Sequence, residues 1–303
     1  MQVPAVGSRV VIRYRLPAGS EPPLSDVVGH LLEAGRTLTV RTKAGDVVAV
    51  AADDVVVLRE LPAATVRTAD IRKLEHAAAL AWPGVEQRWV EGWFLRAAGG
   101  HTRRGNSAVP LGFDATASAL PDIVEWYSSR GLTPWLSIPD RLFKLADAAP
   151  HLETVVMARE LGAAEVRDAT VLLAPAPGDE WLRRYERDVP VEVLTSVVDG
   201  EAVFATAPGA AVARAAVTTT LDLSRWVGIS ALRVTDAARR RGHARRLCST
   251  LLSWGLDHGA SHAYAQVLID NAPARRLFES MGFTEHHRSR YMRADALHLG
   301  ADR

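Results

Sequence analysis

Arg239-Arg240-Arg241-Gly242-His243-Ala244 stands between an apolar segment and an amphipathic one, and its reading decides the fold. Before it, Trp226-Val227-Gly228-Ile229-Ser230-Ala231-Leu232-Arg233-Val234 is β-branched and aromatic and closes on the turn formers Thr235-Asp236, the pattern of a buried strand. After it, Ala244, Leu247, Cys248, Leu251 and Gly255 recur at three- and four-residue spacing, which predicts a helix ending at Gly259. The loop therefore feeds a helix N-terminus. There the first backbone N–H groups lack partners and the helix dipole is positive, so an anion is attracted. Gly242 and Ala244 are small enough for phosphate oxygens to approach the main chain, and three arginines add charge at the same spot. A pyrophosphate suits such a loop.

Further along come a second apolar segment, Asn271, and Leu277-Phe278-Glu279-Ser280-Met281-Gly282-Phe283. With Arg239-x-x-Gly242-x-Ala244 and the preceding Leu232-x-Val234, this order resembles the GNAT superfamily of acyl-CoA-dependent N-acyltransferases over residues 226–285. The resemblance implies an α+β fold, with a mixed central sheet flanked by helices and acetyl-CoA as cosubstrate. It places the diphosphate on Arg239, Arg240, Arg241, Gly242, His243, Ala244 and Arg245, and the pantetheine arm along Leu232 and Val234. The backbone N–H of Leu232 is then the group that polarises the thioester carbonyl. Asn271 contacts the pantetheine or holds the next strand end, and the helix carrying Phe278 flanks the cosubstrate.

At 303 residues the chain has room for two or three domains, and 48% hydrophobic with 23% charged residues is a globular composition. No apolar run reaches the ~18 residues needed to span a bilayer, and the start has no basic, apolar leader. A cytoplasmic location is expected. A net charge of +1 provides no field for nucleic acid or anionic membrane. The single Cys248 excludes an internal disulfide and falls on the apolar helix face, as a core residue would. The ten histidines, His286-His287 included, show no metal-ligand spacing, so no metal is expected.

Short β-rich segments at 9–16, 27–32, 37–42, 47–50 and 55–58, with the hairpin signal Lys43-Ala44-Gly45-Asp46, suggest a small SH3-like or Tudor-like barrel over residues 1–61. Its acidic and basic residues balance, so a structural or docking role, with a protein partner, is favoured over phosphate binding. Leu61-Pro62 marks a linker. Residues 70–80 read as a helix stopped by Trp82-Pro83, and 88–96 as one strand. The polar, basic run 102–107 is a candidate ligand-facing segment.

An internal repeat follows. Trp126 and Trp254 each stand five residues before a glycine, and each unit continues into a strand ending in aspartate, Asp140 or Asp270, and then an apolar-glycine step, Leu161-Gly162 or Met281-Gly282. The first copy lacks an Arg-x-x-Gly-x-Ala loop. Residues 62–175 thus resemble a degenerate GNAT-like half and 176–303 a catalytic one, in tandem. Residues 192–198 and 201–206 read as a hairpin across Asp199-Gly200.

Acyl transfer to an amine needs a neutral amine, a polarised carbonyl and a proton for the thiolate. Where many members of the resembling family have a proton-donating tyrosine, this chain has Phe278. Nor does the strand 226–234 offer a carboxylate base. Glu192, Asp222 and Tyr291 are the candidates, Tyr291 for the acid role as well. The acceptor is a small-molecule or protein amine; the alternative is a catalytically silent acyl-CoA sensor or scaffold.

Overall fold

The computed structural model describes residues 3–42, 46–61, 66–144, 150–162, 166–220 and 222–297. The expected hairpin tip Lys43-Ala44-Gly45, the linker residue Pro62 and the tail of the first apolar-glycine step, Ala163, lie outside them. The chain forms two units, Met1–Thr65 and Val66–Arg303.

In the first unit, β1 (Arg9–Arg15), β2 (Leu24–Ala34), β3 (Thr37–Thr42), β4 (Val47–Ala51) and β5 (Val55–Glu60) form an antiparallel sheet in the order β4-β3-β2-β1-β5. Strand alternation buries Val10, Ile12, Val27, Leu31, Leu38, Val40 and Val50 on one face, which makes a small core. Five strands were expected, but the closure of a barrel is not seen. Among the described residues β4 and β5 remain the two edges.

The second unit is built on one eleven-stranded sheet in the order β11-β12-β13-β14-β15-β10-β16-β9-β8-β7-β6. Its strands are β6 (Glu86–Val90), β7 (Trp93–Ala97), β8 (Ser107–Pro110), β9 (Trp135–Pro139), β10 (Leu152–Glu160), β11 (Leu172–Ala174), β12 (Gly200–Ala207), β13 (Ala211–Thr219), β14 (Arg225–Val234), β15 (His262–Leu268) and β16 (Thr284–Arg293). Its helices are α1 (Thr68–Ala81), α2 (Leu120–Ser128), α3 (Asp179–Tyr185), α4 (Val191–Thr195), α5 (His243–Asp257) and α6 (Ala272–Glu279). The topology repeats itself about the centre of the sheet. The parallel pair β8–β9 is joined through α2, as the parallel pair β14–β15 is through α5. The central strands are exchanged, because β10 pairs with β15 while β16 pairs with β9. The sheet therefore runs unbroken through the expected boundary near residue 175.

Alternation along β14 explains the layers. Val227 and Ile229 face α5 with Leu247, Leu251 and Cys248, and Gly255 is required there because a Cβ would come within 2.8 Å of Val227. Trp226 faces the other way, toward Leu74, Ala77 and Ala78 of α1. Burial pushes the Cys248 thiol up to about 12, as a core residue rather than a nucleophile.

Two segments depart from expectation. The strand expected over 88–96 is a hairpin, since Glu91 and Gly92 both take positive φ, 40° and 77°, and reverse the chain between β6 and β7. Residues 192–195, the start of the strand expected over 192–198, lie in α4, where the N–H groups of Leu194 and Ser196 bond back to the carbonyls of Pro190 at 3.1 Å and Glu192 at 3.0 Å.

Candidate active site

Strands β14 and β15 pair only over Trp226–Ile229 and His262–Ala265. Beyond Ile229 they part. Ala231 takes a φ of 52°, and the register of β13 against β14 shifts between Val212 and Arg214, so β14 carries a bulge. Ser230, Arg233 and Val234 continue to pair with β13, with Ala231 and Leu232 in the bulge, but among the described residues the other edge of 230–234 has no ladder partner. A strand edge with open N–H and C=O groups inside a sheet is a ligand groove.

On one side of this edge is the arginine loop. Arg240 and Gly242 take φ of 59° and 79°, and Gly242 is the N-cap of α5 with no side-chain cap. No atom lies within 4 Å of where a Gly242 Cβ would stand, so the first N–H groups of this long helix open onto space. A cavity of about 830 Å³ lies there, lined by Val234, Arg239, Arg240, Gly242, His243 and Arg245 among others. Arg239 pairs with Asp236 at 2.7 Å. Arg245 reaches across to Ser280, donating to its carbonyl at 3.1 Å and its Oγ at 2.6 Å, so it also ties α5 to the end of α6. Arg240 and Arg241 form no ion pair with a described residue. Partial burial and the neighbouring Arg246 and Arg241 hold His243 below the usual imidazole range.

On the other side lies a second cavity of about 710 Å³, whose wall includes Leu232, Phe278, Tyr291, Trp82, Tyr185 and Arg104. Arg187, Leu232, Arg233, Asn271 and Ala274 line both volumes, so the unpaired edge of β14 joins them. Asn271 caps α6, its Oδ1 accepting from the Ala274 N–H at 3.2 Å, which fixes the strand-to-helix corner between the cavities. Phe278 is buried and packs edge-on against Phe283 at 5.1 Å.

The structure brings together Leu232, Val234, Arg239, Arg240, Gly242, His243, Ala244, Arg245, Asn271, Phe278 and Tyr291 around the two cavities, while Arg241 lines neither. It does not bring the other two base candidates. Glu192 is exposed in the first turn of α4 and lines neither cavity. Asp222 lies before β14, at the end opposite the bulge, 2.5 Å from Lys73 and bonded to the hydroxyls of Thr220 and Ser224. Those partners hold its carboxyl well below the usual carboxylate range and leave it no role at the groove.

Sequence reasoning missed Trp82 and Tyr185 as cavity residues, because a tryptophan before proline and an aromatic in a short helix read as packing. It missed the support behind them too. Arg214 of β13 is fully buried, 4.5 Å from the Trp82 ring, and donates to the carbonyls of Leu194 at 2.7 Å, Ala81 at 2.9 Å and Ser196 at 3.2 Å. Arg96 of β7, also buried, donates to Ser107 Oγ at 2.9 Å, the Ser107 carbonyl at 3.2 Å and the Trp82 carbonyl at 3.4 Å. The carboxyl end of α1 is thus met by two buried cations where its own last turn supplies none. Among the described residues no helix is long and apolar enough to cross a membrane, and no group of three or more His, Cys, Asp or Glu is placed to hold a metal.

A mixed sheet parted at a bulged strand, with a glycine-capped arginine loop at the following helix, defines a GNAT-type acetyltransferase fold. A GCN5-related N-acetyltransferase from Kribbella flavida shares that fold, with a TM-score of 0.52 at 15% identity, covering 79% of this chain and 98% of its own. Residues 68–292 match the family described as "Probable histone acetyltransferase Rv0428c C-terminal", and residues 4–59 match the "Rv0428c N-terminal Sm-like domain". A protein of Mycobacterium tuberculosis named "Probable histone acetyltransferase Rv0428c" is 47% identical over 296 residues, 97% of each chain. The "Uncharacterized N-acetyltransferase YobR" of Bacillus subtilis is 24% identical over 251 residues, 72% of this chain and 97% of its own. The chain belongs to the Rv0428c family of GNAT-type acetyltransferases. Its first unit is accordingly Sm-like, which replaces the expected SH3-like barrel.

Proposed function

We propose that this protein transfers the acetyl group of acetyl-CoA to a primary amine, with the two cavities as the two substrate sites. The observation that carries this reading is the unpaired edge 230–234, which joins the arginine-loop cavity to the second one. The diphosphate sits on the N–H groups behind Gly242 with Arg240, and the pantetheine lies along Leu232 and Val234. The acetyl carbonyl then points into the second cavity under the N–H of Leu232. The amine nitrogen attacks the carbonyl carbon, a C–N bond forms and the C–S bond breaks. The nitrogen gives up one proton, and CoA leaves as thiolate and is protonated to the thiol.

No carboxylate among the described residues lines the second cavity, but arginines do, and nearby positive charge favours the neutral form of an entering amine. A strong protein base is then unnecessary. The repeated topology supports a tandem origin in which residues 62–175 keep the packing of a GNAT-like half without its phosphate loop, so one CoA binds per chain. The Sm-like unit is a docking module for a protein partner, and the enzyme works in the cytoplasm. The test is release of free CoA from acetyl-CoA across a library of amines. Amine-dependent turnover is expected; tight acetyl-CoA binding without release for any amine would make the chain a silent sensor.

A further inference from the structure

The name of the 47%-identical relative points to a histone, a lysine-rich acceptor. The second cavity has the opposite chemistry. Its charged lining is Arg103, Arg104, Arg187 and Arg233, with no aspartate or glutamate among the described residues. Arg233 is paired with Glu186. Arg103, Arg104 and Arg187 have no carboxylate partner among the described residues: Arg103 lies over the Trp135 ring at 4.6 Å and meets His151 Nε2 at 3.2 Å, and Arg187 is exposed beside Tyr185.

The polar atoms left without partners tell the same story. Trp82, 5% exposed and in the cavity wall, has a buried Nε1 with no hydrogen-bond acceptor. Arg104 Nε is in the same state, its guanidinium 5.8 Å from the Trp82 ring, and so is Nη1 of the fully buried Arg214 on that ring. All three are N–H donors. Buried donors normally find an acceptor, and buried cations normally find an anion. Burial lowers Arg214 to about 10, with Tyr264 opposing the shift and Arg104 adding to it.

Resting on the acetyl-transfer reading above, we infer that the acceptor is a primary amine carrying its own carboxylate or phosphate, held by Arg103, Arg104 and the Trp82 N–H while its amine faces Leu232. A lysine-rich tail would bring like charge into this wall. The acid group of an anionic amine supplies an acceptor at the Trp82 and Arg104 wall, with Arg214 lying behind that wall and outside the cavity lining, and its position fixes the nitrogen relative to the thioester.

Matched pairs of amines test this: O-phosphoethanolamine against ethanolamine, and β-alanine against β-alaninamide, with a lysine-rich peptide as the basic arm. The anionic member of at least one pair is expected to show a kcat/KM about tenfold or more higher, as a charged hydrogen bond to arginine warrants. Arg104→Gln and Arg103→Gln should each reduce that ratio. The phosphate pair and the carboxylate pair tell the two kinds of anion apart. Faster turnover of the peptide or of the uncharged members would overturn the inference while leaving acetyl transfer standing. Calorimetry of O-phosphoethanolamine and β-alanine with the CoA-loaded protein separates the two claims if no amine turns over. Binding of either that both arginine variants weaken would sustain the anion site and sink the transfer reading. Absence of binding by both, or binding unaffected in both variants, would sink the anion site.

Discussion

The two crossover units of the large sheet, β8-α2-β9 and β14-α5-β15, have the same topology and opposite chemistry at the start of the helix. Helix α2 grows out of a short 3-10 turn, with its N-cap Ala119 already helical, Pro121 in its first turn and Asp122 beside it. Helix α5 is entered through the left-handed Arg240 and Gly242, with no acid in its first turn. Both helices have a positive end. In α2 an acidic residue, Asp122, stands in the first turn; in α5 no acid does, and the loop before it carries arginines. A shared packing plan therefore does not confer anion binding, which requires the loop shape and the charge together. The β8-α2-β9 crossover contributes to the proposed site in another way: the loop 102–107 that leads into β8 supplies Thr102, Arg103, Arg104 and Asn106 to the second cavity.

The hardest blow to that contrast is at Gly242. Gly242→Glu sets a carboxylate where the diphosphate belongs and strains a backbone with φ of 79°, so CoA affinity should fall by about a hundredfold or more in calorimetry. Gly242→Asn, which tolerates the left-handed region, should retain most of it. Asp122→Asn should leave binding unchanged, and titration should saturate at one CoA per chain. A second CoA lost on altering the α2 end would break the comparison.

The next test compares the paired buried arginines. Arg214 serves three carbonyls and Arg96 two carbonyls and a hydroxyl, one of these contacts long. Arg214→Met should cost about 3 kcal/mol or more in urea unfolding, because buried acceptors lose their donors. Arg96→Met should cost less, about 2 kcal/mol. Equal or reversed losses would mean that the two ends of this clamp are not loaded as their bonds suggest.

An effect of similar size, but dependent on pH, should appear where the exchanged strands meet. On β16, His287 Nε2 lies 2.8 Å from Glu75 Oε1 of α1, and its Nδ1 is 2.8 Å from His286 Nδ1. Burial, and then His287, push His286 down to about 4 from 6.5. The unfolded chain takes up this proton first as pH falls, so the stabilisation is complete above pH 6.5 and is lost between 6.5 and 4. The loss is about 3 kcal/mol, and His286→Gln should flatten the pH profile of thermal melting over that window.

Much of this was legible in the sequence where local rules and tertiary structure agree. The Leu232-x-Val234 strand, the arginine loop and the α5 stripe are each read from neighbours in sequence, and they assemble as expected. Glu192 and Asp222 failed because a carboxylate near a motif in sequence need not be near it in space: two strand residues span some 7 Å, and Asp222 is at the wrong end of β14. The cavity wall of Trp82, Arg104 and Tyr185 was hidden for the converse reason. These residues come from three separate segments, and only the unbroken sheet brings them to Leu232.

The smallest expected effect concerns the proton for the departing thiolate. Tyr291 lines the second cavity with Leu232 and Phe278, so position admits it as the acid that Phe278 cannot be. Yet a CoA thiol with a pKa near ~8.5 leaves close to working pH, where general acid help adds little. Tyr291 also has packing reasons for its place: it is nearly buried in the seam, paired across β9 and β10 with Ser137 and Leu152. Tyr291→Phe keeps the ring and removes only the hydroxyl, so kcat should change by less than about threefold, with KM for acetyl-CoA and the melting temperature held. Were kcat to drop a hundredfold while CoA affinity and melting stayed the same, Tyr291 would be the acid. The contrast between the two crossovers would then extend to catalysis, because β16 runs beside β9 of the β8-α2-β9 crossover and its tyrosine would serve the loop before α5.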